Sequence, residues 1–182
     1  MKKVFLGLLG LAAAVIVIGI VTLLVMGRRE DAGRNTATVQ IERPPAQVFP
    51  WITEPARLKQ WIGGLVESAP LTDEGLKVGA RSREAVVVRN VRYEMETTVV
   101  DFEVPARLVV EIQAEGFKTE ARYDLVESGG STFLSYACIA HYEHPLAKLM
   151  EPLVTREAQK KIEADLARLK DLVEAEPWSG AR

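Results

Sequence analysis

Few side chains in this sequence could do chemistry. Glu84 stands in "RSREAVVVRNVRYEMETT" (Arg81 to Thr98), where polar and apolar residues alternate; the tyrosines are Tyr93, Tyr123, Tyr136 and Tyr142, the histidines His141 and His144, and the single cysteine Cys138. A carboxyl group on an apolar surface holds its proton more tightly than a solvated one, so Glu84 could serve as an acid or as a ligand contact. One cysteine permits neither an intramolecular disulfide framework nor a thiolate zinc cluster. Pro145 starts a helix only after His141 and His144, so the two do not form a helical metal pair, and no cofactor motif is present. What the remaining groups can do depends on the faces they share.

Those faces follow from hairpin registers. A two-residue turn at Arg89-Asn90 sets Val88 opposite Val91, Val86 opposite Tyr93, Glu84 opposite Met95 and Ser82 opposite Thr97 on one side. Ala85 with Glu94 and Arg83 with Glu96 fall on the other, so a mostly apolar face and a charged face separate. Val99-Val100 breaks the alternation and predicts a bulge. A turn at Glu115-Gly116 pairs Ala114 with Phe117, Ile112 with Thr119, Val110 with Ala121 and Leu108 with Tyr123, leaving Glu111 outside beside Glu120. "SGGS" (Ser128 to Ser131) turns the last hairpin, with Leu125 facing Leu134, Tyr123 facing Tyr136, Ala121 facing Cys138 and Thr119 facing Ala140. By this register Ser135 and His141 point outward, which removes geometric support for a Ser-His nucleophile.

Ahead of these hairpins, "TATVQIE" (Thr36 to Glu42) alternates as a half-buried strand. Pro44 and Pro45 stop it, and Pro45 and Pro55 open two short helical pieces carrying Val48 and Ile52, then Leu58, Trp61 and Ile62. A short strand is expected around Leu65 to Ser68. From Pro145 to about Glu176 the period becomes helical, with Leu146, Leu149, Met150, Leu153, Ala158, Ile162, Leu166, Leu169 and Val173 on one stripe and Lys160, Lys161, Glu163, Asp165, Arg168 and Lys170 on the solvated side. Pro152 should kink this helix early.

The chain of 182 residues, 48% hydrophobic and 26% charged, suits one globular domain with an appendage. That appendage is Val4 to Met26, free of charge and proline, which as a helix would span roughly 35 Å and cross a hydrocarbon layer about 30 Å thick. The run is longer than a signal-peptide core and Gly27-Arg28-Arg29 ends it without a small-residue cleavage site, so it reads as a single-pass anchor at the membrane. Lys2 and Lys3 balance Arg28, Arg29 and Arg34, leaving the side of the soluble domain open. The expected division is an anchor over 1–27, a linker over 28–35, a domain over 36–176 and a tail over 177–182. Beyond Asn35 the chain keeps 18 basic against 23 acidic residues, a net −5 with no basic footprint for nucleic acid.

Strand, two short helices, antiparallel meander and long C-terminal helix is the order of the α+β helix-grip fold. Within it, "IERPPAQVFPWITEPARLKQW", Gly79 before a strand, "VVDFEVPARLVVEI", "GGSTFLSY" and "DLARLKDLVEAE" resemble the START-like, Bet v 1-like superfamily, specifically bacterial proteins of the polyketide cyclase/dehydrase and lipid-transport type. The resemblance covers roughly Thr36 to Glu176. It implies a curved sheet gripping the helix around an apolar cavity, and it brings no universal catalytic motif, so function does not follow from fold.

Small residues Ala114, Thr119, Ala121, Cys138 and Ala140 cluster beside the tyrosines on the inner face and leave volume. In one reading Leu149, Met150 and Leu153, with Trp61 and Phe117, fill it. In the other it is a ligand cavity with a few polar handles. Its contacts would then be Trp61, Glu84, Tyr93 and Met95, then Phe117, Ala121, Tyr123 and Tyr136, and finally Cys138, Ala140, Met150 and Leu153. Glu84 could instead lie at the open end of the sheet or pair with an arginine. Three functions fit: membrane-anchored binding or transfer of a lipid, quinone or polyketide-like molecule; a cyclase or dehydratase using Glu84 and a tyrosine; and, if the space is filled, an interaction module.

Overall fold

A computed structural model describes residues 33–72, 75–143 and 145–177. The expected transmembrane run, and His144, lie outside the described residues. In chain order the elements are β1 (Arg34–Ile41), α1 (Pro45–Thr53), α2 (Pro55–Trp61), β2 (Leu65–Pro70), β3 (Arg81–Val88), β4 (Val91–Glu103), β5 (Arg107–Ala114), β6 (Phe117–Ser128), β7 (Ser131–Tyr142) and α3 (Pro145–Ala175). Seven antiparallel strands form one sheet in the order β1-β7-β6-β5-β4-β3-β2. Six of them follow one another as a meander, and β1 closes the sheet against the last.

All three hairpins keep the register expected from alternation. Val88 pairs with Val91, Glu84 with Met95, Ala114 with Phe117 and Tyr123 with Tyr136. The first turn works because Arg89 and Asn90 both take left-handed backbone angles, φ 49° and 64°, which match a two-residue hairpin to the twist of its strands. The register slips between Val99 and Asp101, the bulge anticipated from the broken alternation. On the outer face the ion pair of Glu96 is diagonal, to Arg81 at 2.5 Å, rather than with Arg83 directly opposite. The like-charged neighbours Glu111 and Glu120 are relieved by Lys118, whose Nζ lies 2.6 Å from Glu111.

Strand β1 begins at Arg34, inside the stretch expected to be linker. Gly33 already belongs to the domain: its N–H donates to Glu151 Oε1 at 3.1 Å and its carbonyl accepts from Ala140. A Cβ here would lie 3.2 Å from Thr155 Oγ1 and the φ is +68°, so glycine suits both the space and the backbone. Asn35 Nδ2 then donates to the Thr155 carbonyl at 2.9 Å and to Gln159 Oε1 at 3.1 Å, and Gln159 Nε2 donates to the Thr36 carbonyl. These polar bonds lay the first half of α3 along β1.

Prolines start both short helices, where a missing N–H costs nothing. Helix α1 runs through Pro50, and buries Val48, Phe49, Trp51 and Ile52. The core gathers these with Trp61, Leu108, Leu125, Leu134, Leu166, Leu169 and Val173. It therefore sits between the sheet, the two short helices and the second half of α3.

Candidate functional site

Helix α2 ends on Trp61, whose indole N–H donates to the Trp51 carbonyl at 2.8 Å and whose own carbonyl accepts from Arg168 Nη1 at 2.9 Å. Gly63 N–H donates to Asp165 Oδ1 at 2.9 Å. One turn of α3 thus clamps the α2–β2 connection. Gly64 follows with φ +83°, and a Cβ there would meet the Val87 carbonyl oxygen at 2.6 Å; only glycine lets β2 enter the sheet this closely.

The clamp holds α3 over the sheet without filling the space beneath it. A cavity of about 160 Å³ remains, lined by Trp61, Ile62 and Leu65 at the α2–β2 end. Glu84, Val86, Met95, Ile112, Tyr123 and Tyr136 line it from the sheet, and Lys161, Ile162, Asp165 and Leu166 from the helix. Each strand from β2 to β7 contributes.

Glu84 is its one acid on the sheet. Thr97 Oγ1 donates to Oε2 at 3.1 Å and Ser82 Oγ reaches Oε1 at 3.5 Å. Ser68, opposite Glu84 in register, buries its hydroxyl beside the carboxyl without a hydrogen bond of good geometry. Burial pushes the Glu84 carboxyl above the usual range, and the three hydroxyls pull the other way without cancelling it. Among the described residues no arginine or lysine pairs with it, so the expected alternative of an arginine partner does not hold.

Tyr123 and Tyr136 stand side by side, ring centroids 4.9 Å apart and tilted by 60°. Burial raises the pKa of both, and the neighbouring Glu84 charge adds to the rise at Tyr123. Cys138 lies within hydrogen-bonding range of the Tyr136 hydroxyl, and burial pushes its thiol up. On the helix side, Asp165 is 7% exposed and takes an ion pair from Lys161 and a longer contact from Arg168 at 3.5 Å. The cavity is thus apolar in its body, with an unneutralised carboxyl at one wall and a neutralised one across from it.

Of the twelve expected contacts, the structure brings five together here: Trp61, Glu84, Met95, Tyr123 and Tyr136. The other seven lie elsewhere. Ala121 is fully enclosed in the core and Cys138 is buried beside it. Ala140 packs against Gly33 near Thr155. Ala121 and Cys138 therefore belong to the packed core, whereas Thr119 and Ala140 stay partly exposed, and the cavity described here lies farther along the sheet. Phe117 pairs with Tyr142, centroids 6.4 Å apart, while Tyr93, Met150 and Leu153 are about half exposed. Met150 and Leu153 consequently do not plug the interior.

Sequence reading missed Ile62, Leu65, Val86, Ile112, Ile162 and Leu166 as lining, and placed Lys161 and Asp165 on the solvated side. Asp165 adjoins Ile162, Leu166 and Leu169 on the helix surface, a phase that marks it as a flank of the buried stripe. His141 is exposed beside Lys118, and among the described residues no three potential metal ligands come together.

A single sheet wrapped on a long helix, enclosing a mainly apolar cavity with sparse polar handles, defines a helix-grip protein. The family model for "Polyketide cyclase / dehydrase and lipid transport" matches residues 33–174, and the chain belongs to that family. Among solved structures it is similar to a START superfamily protein from Mycobacterium smegmatis, at 19% identity and TM-score 0.67, covering 78% of this chain and 97% of that one. The protein TTHA0849 from Thermus thermophilus is 20% identical with TM-score 0.66 over 78% of this chain and 97% of its own. Ara h 8.0201 is 14% identical with TM-score 0.60, over 79% and 100%. At these identities the likeness is one of fold. None of the curated proteins matches the sequence.

Proposed function

We propose that this protein holds a small hydrophobic molecule in the cavity under α3, close to a membrane in which Val4–Met26 anchors the chain. The observation that carries the reading is the cavity itself: about 160 Å³ of space bounded mainly by apolar side chains in a protein whose family includes lipid transport. An apolar cavity of roughly 150 Å³ takes one benzene-sized ring. A ring, such as that of a quinone or polyketide-like molecule, or the end of an acyl chain fits within these walls; a whole lipid would have to leave much of itself outside. The anchor reading rests on the length and apolarity of residues 4–26; among the described residues no helix is long and apolar enough to cross a membrane. An anchor would keep the cavity beside its source and raise the effective concentration of ligand.

The core residues all lie between Ala37 and Val173, so a fragment from Gly33 carries everything that packs. Mass spectrometry of an organic extract of this fragment should recover an apolar molecule at near-stoichiometric yield. The same fragment carrying Val86→Trp, which fills the cavity from its lining, should yield none. An empty extract from the unmodified fragment, or equal recovery from both, would end the proposal.

A second reading, a cyclase or dehydratase, is favoured by one observation: a buried carboxyl with a raised pKa lines the same cavity as two tyrosines, the arrangement of a proton-transfer pair. Glu84→Gln keeps the shape and removes the proton-transfer group. Retained binding with turnover lost on a cyclisable substrate marks an enzyme, whereas unchanged handling of the ligand marks a carrier.

A further inference from the structure

The apolar residues left uncovered are gathered in part at one end of the domain. Val88 and Val91 flank the β3–β4 turn and Tyr93 follows on the same side; Met150, Leu153 and Val154 lie on the first half of α3; all six are 42 to 56% exposed. Register places the turns and termini of this end together. Val88 pairs with Val91, Met95 with Ala114, Phe117 with Tyr142 and Arg34 with Ile139. Besides Lys160 and Arg156, Arg89 of the hairpin tip contributes to holding the Glu157 carboxyl of α3 below its usual range.

This end also adjoins the cavity lining. Val86 and Met95 line the cavity, and Tyr93 lies across from Val86 and two residues from Met95 on the same face. On the helix, Val154 lies two turns before Lys161, on the side of the helix that Lys161 presents to the cavity. The six residues, three on the β3–β4 hairpin and three on α3, thus make up an exposed apolar rim at the end of the domain that adjoins the cavity lining.

The same end receives the chain from its amino terminus. Gly33 is fixed between Ala140, Tyr142 and Thr155 and bonded to Glu151. Six residues, 27–32, separate it from the apolar run ending at Met26; fully extended, that gap is about 25 Å, since each residue reaches at most ~3.6 Å. Large apolar residues exposed together at one end of a domain mark an interaction surface, and these can never lie far from wherever Met26 is held.

We propose that this rim docks on the lipid bilayer that holds the chain's own anchor, so that the cavity opens onto the hydrocarbon and not onto water. The inference rests on the anchored reading above and adds the orientation. It gives the exposed half of α3 a role: a ligand passes between bilayer and cavity beneath Met150, Val154 and Tyr93 without crossing the aqueous phase.

The test uses the full chain in phosphatidylcholine vesicles, with a fluorophore attached in a Cys138→Ala background at Val91→Cys, Leu153→Cys or, as the distal control beside the β6–β7 turn, Val126→Cys. Flotation after an alkaline carbonate wash reads the anchor. Quenching by nitroxide-labelled lipid reads the rim. Val91 and Leu153 labels should be quenched about threefold or more over the Val126 label, as expected of interfacial apolar contact. Equal quenching at all three positions in vesicles that retain the protein overturns the docking and leaves the anchor standing. Protein washed from the vesicles overturns both.

Discussion

The two halves of α3 are attached to the same sheet by different physics. From Ile162 onward apolar packing is added to the polar bonds of Asp165, Arg168 and Lys170, with Leu166, Leu169 and Val173 at 3%, 0% and 1% exposure. Before it, Glu151, Thr155 and Gln159 bond to the backbone and side chains of Gly33, Asn35 and Thr36, while Met150, Leu153 and Val154 stay uncovered. One amphipathic stripe in the sequence becomes a grip at one end and a rim at the other, because polar bonds from Gly33, Asn35 and Thr36 hold the first half and the bulky core lies against the second. The cavity lies near the junction of the two halves, where Lys161, Ile162, Asp165 and Leu166 line it.

If that contrast is right, Leu169→Ala should destabilise the domain by about 2–5 kcal/mol, the usual loss for a buried leucine with its cavity term, while Leu153→Ala should stay within about 0.5 kcal/mol, as exposed sites do. Urea melts of the two variants check it. Comparable losses would mean the halves are equivalent.

A smaller effect isolates the polar half. Asn35→Ala removes the bonds to Thr155 and Gln159 and should cost about 1 kcal/mol globally. Amide exchange should quicken over residues 150–160 and stay unchanged over 165–173, since local opening follows local stability. Uniform acceleration along α3 would show a single cooperative helix instead.

The smallest effect concerns Glu84. Its folded pKa lies above the unfolded value, so the native state binds the proton more tightly and stability falls as pH rises from the ordinary carboxyl range through the raised one. Glu84→Gln should therefore gain stability relative to the parent at neutral pH and lose that advantage below the unfolded carboxyl pKa. Thermal melts across pH would show it. A pH-independent difference would mean that the hydroxyls of Thr97 and Ser82 already compensate the charge.

Much of this arrangement was legible in one dimension. Alternation around Arg89-Asn90, Glu115-Gly116 and the "SGGS" turn carries the strand registers, because a shift by one residue would turn an apolar face outward; that was enough to aim Glu84, Met95, Tyr123 and Tyr136 inward. The α2 end at Trp61 followed from Pro55 and helical spacing. By contrast, Ala121 and Cys138 read as part of a hollow and are buried in the core, since a small side chain can either leave space or invite a neighbour. Asp165 read as solvated and is buried, because Gly63, distant in sequence, brings it a backbone N–H.

The sequence by itself determined the order of elements, the register of each hairpin and the sidedness of the sheet, all of which depend on neighbours a few residues apart along the chain. Only the tertiary structure decided where the hollow lies, which half of α3 closes on the sheet and which polar groups are paired. Those outcomes depend on how closely two elements approach, and that distance is set by side chains more than a hundred residues apart.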